Sequence, residues 1–222
     1  MHISRDVTII AKWFEKSGFD KLFTTEIKKY VEVHTFLNKE LLSKEGSPLP
    51  YLFYLVSGKA KIYMTHENGR RSLVHFAAAP CFIGEMGLLD VEPFAKGIEA
   101  METCVCLALP LNICKDMLMS DPEFLKNLSI SLGYKAIYRS ENLAKSFAYP
   151  FENRFAAFIL TTEQNGIYRE KHTEVAEYLN VSYRHLLYTL QDFIAQGWIE
   201  KRARNYILLD RDALQRLAQY IK

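Results

Sequence analysis

No run of apolar residues in this chain is long enough to cross a bilayer, so no membrane partner is expected. The opening residues, MHISRDVTIIAKWFEKSGFD, lack an unbroken apolar stretch and a small-residue cleavage site, and are not expected to act as a secretory signal. Cysteine is scarce. The four at 81, 104, 106 and 114 do not read as a disulfide framework in a chain of 222 residues, which makes a reducing, cytoplasmic compartment the expectation. Ser-His-Asp, His-Glu-x-x-His and P-loop spacings are missing as well, so an enzyme is not expected. An excess of either charge is missing too. The net charge of +2 leaves any charge-dependent function to local clusters rather than to the average.

What is present changes character twice along the chain. Residues 1–45 are mixed, with helical spacing around Ile9, Ile10, Trp13 and Phe14, and again around Leu22, Ile27 and Val31. From Gly46 to Leu109, short runs rich in Val, Ile, Phe and Tyr alternate with turn residues. Leu52–Val56, Lys59–Met64, Ser72–Phe76 and Thr103–Leu109 read as strands, and Asn68-Gly69 reads as a hairpin turn. Evenly spaced short strands predict a barrel or jelly roll.

At Ser120-Asp121-Pro122-Glu123 the period becomes helical. Asp121 suits the cap, Pro122 the first helical position and Glu123 the positive end of the dipole. A single helix is predicted over 122–146, ended by Tyr149-Pro150. The heptad-like recurrence of Leu125, Leu128, Leu132, Ala136 and Leu143 predicts a dimer seam, although Arg139 falls near it. The segment PFENRFAAFILTTE predicts a further helix, with Gly166 near its C-terminal cap. The resulting boundaries are 1–120, 121–148 and 149–222.

Residues 172–209 carry the sharpest pattern, a helix-turn-helix followed by a hairpin wing. Ala176 is the small residue where two helices cross, and Val175, Leu179, Val181 and Leu186 are the buried positions. Asn180 sits in the turn, where positive φ is expected. Thr189 stands where a larger aliphatic residue is more usual. Ser182 caps the second helix, whose first turns carry Tyr183, Arg184, His185 and Tyr188. The N-terminal end of such a helix reaches base edges. Arg184 can offer two donors to guanine, and the tyrosines suit phosphate or a thymine methyl. Arg202 and Arg204 at the hairpin tip suit phosphate or the minor groove, and Lys171, His172 and the N–H of Thr173 open the first helix against phosphate. Double-stranded DNA is therefore the expected partner.

With these motifs in view, the chain resembles the CRP/FNR family of bacterial transcription regulators over about residues 40–209. The resemblance rests on Gly46 with Tyr54-Leu55-Val56-Ser57-Gly58, on Phe82-Ile83-Gly84-Glu85-Met86-Gly87-Leu88-Leu89, on Asn153-Arg154-Phe155-Ala156-Ala157-Phe158-Ile159-Leu160, and on the helix-turn-helix. Ala78–Glu85, Cys106–Pro110 and the stretches from Glu170 to Tyr188 resemble its YeiL-type branch. The resemblance implies an α+β chain. A β-jelly-roll sensor domain of the cyclic-nucleotide-binding type comes first, then a long dimerisation helix, then a C-terminal winged helix-turn-helix. It implies a homodimer on a palindromic operator, with RNA polymerase as a candidate partner. It also implies an effector pocket at Gly84, Glu85, Met86 and Lys96, for a small molecule that the sequence does not identify.

That pocket departs from the family pattern. The family's cassette uses its Glu for the ribose and an Arg-Ser pair for the cyclic phosphate. Here the corresponding stretch is Asp90-Val91-Glu92-Pro93-Phe94-Ala95-Lys96-Gly97, without arginine. A buried phosphate with no bidentate cation is costly to desolvate, and a lysine supplies only a point charge, so cyclic AMP is not expected. Two alternatives remain open. One is a redox- or iron–sulfur-gated binder using Cys81, Cys104, Cys106 and Cys114, with Cys104 and Cys106 on one face of a strand. The other is a cyclic-nucleotide-binding module acting through protein partners.

Overall fold

One strand, apolar on both of its faces, organises the first half of the molecule. The computed structural model describes residues 1–69, 71–92 and 94–219, with Asn142 and Ser146 described by their backbone alone. It opens with strand β1 (His2–Ser4), helix α1 (Val7–Ser17) and two 3-10 turns at Phe19–Leu22 and Lys28–Tyr30. Then come β2 (Glu32–Phe36), β3 (Leu41–Ser43), β4 (Tyr51–Ser57), β5 (Lys59–Thr65), β6 (Arg71–Ala78), β7 (Cys81–Ile83), α2 (Glu85–Leu88), β8 (Gly97–Ala100) and β9 (Cys104–Pro110). Helices α3 (Leu111–Met119) and α4 (Pro122–Ala148) follow. All the strand pairs are antiparallel, in two sheets of order β1-β2-β9-β4-β7 and β3-β8-β5-β6.

Strand β9 reads CVCLALP. Because side chains alternate across a strand, Cys104, Cys106 and Ala108 point between the sheets, where they meet Phe36, Leu42, Phe53, Leu55, Ala60, Ala77, Ile83, Ile98 and Ala100. Leu107 and Leu109 point the other way. They pack under Ile10, Phe14, Phe19, Phe23, Cys114, Leu118, Phe124 and Leu128 from the helices and turns. The larger sheet is thus buried on both faces at β9, which is why that strand has no polar phase. Gly97 is required on the second sheet: the ring of Tyr63 lies over it so closely that a Cβ would sit 2.1 Å from Cζ.

Several expectations differ from the structure for local reasons. The helical spacing of Leu22, Ile27 and Val31 yields only the two 3-10 turns, because the N–H groups of Thr24 and Thr25 bond to the Asp121 carboxylate rather than to a helical ladder. At Asn68-Gly69 the hairpin runs from Thr65 to its partner Arg71, and of the pair Gly69 alone has positive φ, so Asn68-Gly69 does not form a two-residue turn. The Asn-Gly pair at 165–166 does form one. Both residues have positive φ, and Gln164 and Ile167 exchange backbone hydrogen bonds of 3.0 and 3.1 Å. Gly166 therefore turns a hairpin rather than capping the preceding helix.

The expected seam on α4 is also revised. Leu128 is buried, and Leu125 and Leu132 pack against the same core of their own chain. Ala136 and Leu143 of the expected seam stay exposed, and the other large apolar residues that α4 exposes are Ile130, Tyr134, Ile137, Tyr138 and Phe147. The chain divides into two compact units, Met1–Ala136 and the part from Ile137 onward, a boundary that falls inside α4.

The second unit comprises the rest of α4, α5 (Phe151–Thr162), β10 (Ile167–Tyr168), α6 (His172–Tyr178), α7 (Tyr183–Ala195), β11 (Ile199–Arg202), β12 (Asn205–Leu208) and α8 (Arg211–Ala218). Its three-stranded sheet has the order β10-β12-β11. Phe155 of α5 stacks on Phe193 of α7 at 5.7 Å and 17°, and Leu186, Leu190 and Ile199 are buried in the same unit.

Candidate nucleic-acid interface

The exposed face of α7 is held outward by the residues behind it. Leu186, Thr189, Leu190 and Phe193 fill the core at helical spacing. Tyr183, Arg184, Tyr188 and Gln191 are left exposed. Helix α6 crosses α7 through buried Val175, Ala176 and Leu179, and Asn180 takes φ 51° in the turn between them. Ser182 Oγ accepts the N–H of His185 at 3.2 Å, which starts α7 and fixes the direction of its first turn.

Two residues behind the interface brace it. The Arg154 guanidinium donates to the Leu179 carbonyl at 2.6 Å, at the C-terminal end of α6. The Asn153 amide donates to the Leu217 carbonyl of α8 at 2.8 Å. Both side chains thus bond helix-end carbonyls that have no partner within their own helices.

The ten residues expected to face DNA differ in their surroundings. Arg184 and Arg204 are exposed and form no hydrogen bond or ion pair with the described residues, so both guanidinium groups stay available to solvent or ligand. Thr173, Tyr183 and Tyr188 are exposed beside or on the same helices. Lys171, Arg202 and His185 are exposed but engaged. Lys171 pairs with Glu174 at 3.3 Å, Arg202 with Glu200 at 3.0 Å, and His185 lies 3.8 Å from Glu152 and packs on the Phe151 ring. Ser182 serves as the cap. His172 is the correction: its ring is parallel to Tyr168 at 5.9 Å and lies 5.4 Å from Tyr206. Burial and, after it, the charge of Lys201 lower its pKa, and the ring packs among the aromatics behind the wing rather than standing open beside Lys171.

Gln191 was missed. It stands three residues after Tyr188 and seven after Arg184, a spacing that places all three on one side of a helix. That spacing was legible in the sequence, and a Gln there can pair with adenine. The wing hairpin joins Arg202 to Asn205 through Ala203 and Arg204, with Ala203 at φ 54°.

In the first unit, the residues expected at the effector pocket are occupied by neighbours. Gly84 has φ 98°, and a Cβ there would lie 2.4 Å from Leu49 Cδ2. Glu85 is buried, and its Oε1 accepts from Lys135 Nζ of α4 at 2.6 Å. The same ammonium donates to the Phe82 carbonyl at 2.7 Å. The half-buried Met86 uses its carbonyl to accept from Val91 and Glu92. Lys96 bonds Glu92, so it does not stand free for a phosphate.

The cysteines are not brought together as a four-thiolate set. Cys104 and Cys106 lie between the sheets with Cys81 packed against them, whereas Cys114 lies in the helical layer beyond the larger sheet. The iron–sulfur expectation that uses all four is corrected on that ground. All are free thiols, and burial pushes each one up: Cys81 and Cys104 to about 11, and Cys106 well above its ordinary value. Three of the sulfurs are fully buried and pack among apolar side chains, the usual place of an unpaired cysteine. Among the described residues, no group of three or more His, Cys, Asp or Glu side chains is arranged to hold a metal ion. Among the same residues, no helix is long and apolar enough to cross a membrane.

Between the sheets, the His34 ring hydrogen-bonds Glu32 at 2.8 Å, and Arg5 bonds the other Glu32 oxygen. Burial alone would raise the Glu32 carboxyl, but bonds from His34 and Arg5 outweigh it and hold the group below its ordinary value. No sequence pattern signals this polar pair, because β2 is buried on both faces and shows no alternation.

Residues 33–121 match the cyclic nucleotide-binding domain model and residues 153–217 the Crp-like helix-turn-helix domain model. The chain is 41% identical over 203 residues to the Regulatory protein YeiL of Escherichia coli O157:H7, covering 91% of this chain and 93% of that protein. It is 23% identical to the CRP-like cAMP-activated global transcriptional regulator of Mycobacterium tuberculosis, over 91% of this chain and 95% of that one. A transcriptional regulator of the CRP/FNR family from Thermus thermophilus matches in structure with a TM-score of 0.67 at 20% identity, over 84% of this chain and 98% of that chain. A putative regulator of the same family from Eubacterium rectale matches with a TM-score of 0.73 at 15% identity, over 90% and 93%. The chain therefore belongs to the CRP/FNR family of DNA-binding transcription regulators, with YeiL among its relatives.

Proposed function

We propose that the chain works in the cytoplasm as a homodimer on a palindromic operator, with the β-sandwich unit as regulatory input and RNA polymerase as a further partner. The observation that carries this reading is the exposed face of α7, where Arg184 is unpaired just after the Ser182 cap and the opposite face is fully buried. The exposed stripe Ile130, Tyr134 and Ile137 on α4 recurs at steps of four and three and suits pairing with the same helix of a second copy. Cyclic AMP is not the proposed effector. Glu85 and Lys96 are each engaged by a side chain of this protein, and the cassette has no arginine for a phosphate. Binding to DNA, rather than catalysis, is the proposed activity.

Selection of duplexes from a random pool tests the reading. The expected result is an inverted repeat whose half-site centres lie about 34 Å, one helical turn, apart. Enrichment of a single asymmetric half-site, or of none, refutes it.

A further inference from the structure

Helix α4 meets the first unit along one stripe. Phe124, Leu128, Leu132 and Lys135 recur at steps of four, four and three, so they share a face. The first two are buried and Leu132 packs on the same core, while Lys135 ends the stripe with a charge. That charge is not solvated at random. Its ammonium bonds both Glu85 and the Phe82 carbonyl, at the two ends of the β7–α2 junction, and the side chains of Lys135 and Glu85 are only 19% and 10% exposed. Ala136, the next residue, is the last of the unit. The exposed stripe of Ile130, Tyr134 and Ile137 flanks Lys135 in sequence and lies on the other side of the helix. A bond that fixes the rotation of α4 at Lys135 therefore fixes where this apolar stripe points.

We propose that Lys135 is a positioning residue for DNA binding: its ammonium takes the place of a small-molecule ligand at Glu85 and holds α4 in the operator-binding state. The inference rests on the reading of the chain as an operator-binding dimer and adds how its state is set. The input, on this account, acts by opening the Glu85–Lys135 contact. A charged pair at this depth is costly to break one partner at a time, because the other charge is left buried. A helix that rotates as one body carries the change to a face that nothing in the pair touches.

The test uses full-length protein freed of small molecules by gel filtration and the operator obtained by selection. Wild type binds it without additive. Lys135→Met and Glu85→Gln each weaken binding by about tenfold or more, Lys135→Arg keeps binding within about threefold, and the double variant binds no worse than Lys135→Met alone. Thermal unfolding identifies variants that do not fold, and Lys135→Arg keeps the test decisive if one fails. Single variants that fold and bind as wild type does, or losses that add in the double variant, overturn the inference, as does a wild type that needs an added small molecule. A wild type that selects no operator, even in cell extract, is instead the failure of the broader reading.

Discussion

Asp121 offers the most direct test of how the long helix is fixed to the sheet. Its carboxylate accepts the N–H of Glu123 at 3.1 Å and of Phe124 at 3.0 Å, which caps α4. It also accepts from Thr24 at 2.8 Å and from Thr25 at 2.7 Å, about a hundred residues away in sequence. Burial by itself raises this carboxyl, but the backbone donors of Phe124, Thr25 and Thr24 outweigh it and hold the pKa at about 2, against an ordinary 3.8. The difference of nearly two units corresponds to roughly 2 kcal/mol of stability. Asp121→Asn turns one acceptor oxygen into a donor facing N–H groups, so the expected loss at pH 7 is about 2–3 kcal/mol. A depressed carboxyl contributes fully above its unfolded pKa and loses its contribution as pH falls through the folded one. The gap between wild type and variant should therefore be constant above about pH 5 and close between about pH 4 and pH 2. Urea unfolding read by Trp13 fluorescence, in a Trp198→Phe background so that the signal comes from the first unit, measures it. An equal gap at pH 7 and pH 2.5 would refute the electrostatic account and leave only a packing defect.

Four further outcomes are expected. Arg184→Ala should cost about 1–3 kcal/mol in operator binding and relax preference at one symmetric pair of positions; equal weakening on every duplex would remove the base-reading role. Arg204→Ala should leave preference intact and lower the slope of log affinity against log salt by about one, which an unchanged slope would contradict. Thr189 is buried and its hydroxyl has no hydrogen-bond partner among the described residues, so Thr189→Val, of the same shape, should stabilise the second unit by about 1 kcal/mol in thermal unfolding; a loss would mean that the hydroxyl is bonded. Replacement of all four cysteines by alanine should leave operator affinity the same with and without oxidant, since the thiols are packed away from solvent and burial disfavours the thiolate; a loss confined to one redox condition would restore a switch.

Particular residues show where sequence reasoning reached the structure and where it stopped. The helix-turn-helix was legible because its determinants are local: Ala176 at a crossing, Asn180 in a left-handed turn and Ser182 at a cap lie within seven residues of one another. Strands β4, β5, β6 and β9 were legible from composition and turns. Strand β2 was not, because Glu32 and His34 point into the core and bond each other, with Arg5 bonding Glu32 as well, which reverses the usual meaning of a polar residue. The stripe on α4 was legible as a period but not as a partner. Leu128 meets its own chain, and only the fold decides which of two apolar faces of a helix is already covered.

That α7 turns Arg184 outward was legible from sequence alone, because short-range spacing settles which side of a helix is polar. Which of the charged residues remain free was decided by tertiary contacts. Arg184 and Arg204 stay open, while Glu200 engages Arg202, an aromatic cluster absorbs His172, and Lys135 closes on Glu85 from fifty residues away. A cation's availability depends on which acceptor the fold carries to it, and for Glu85 and Lys135 that pairing exists only after the long helix has packed across the sheet.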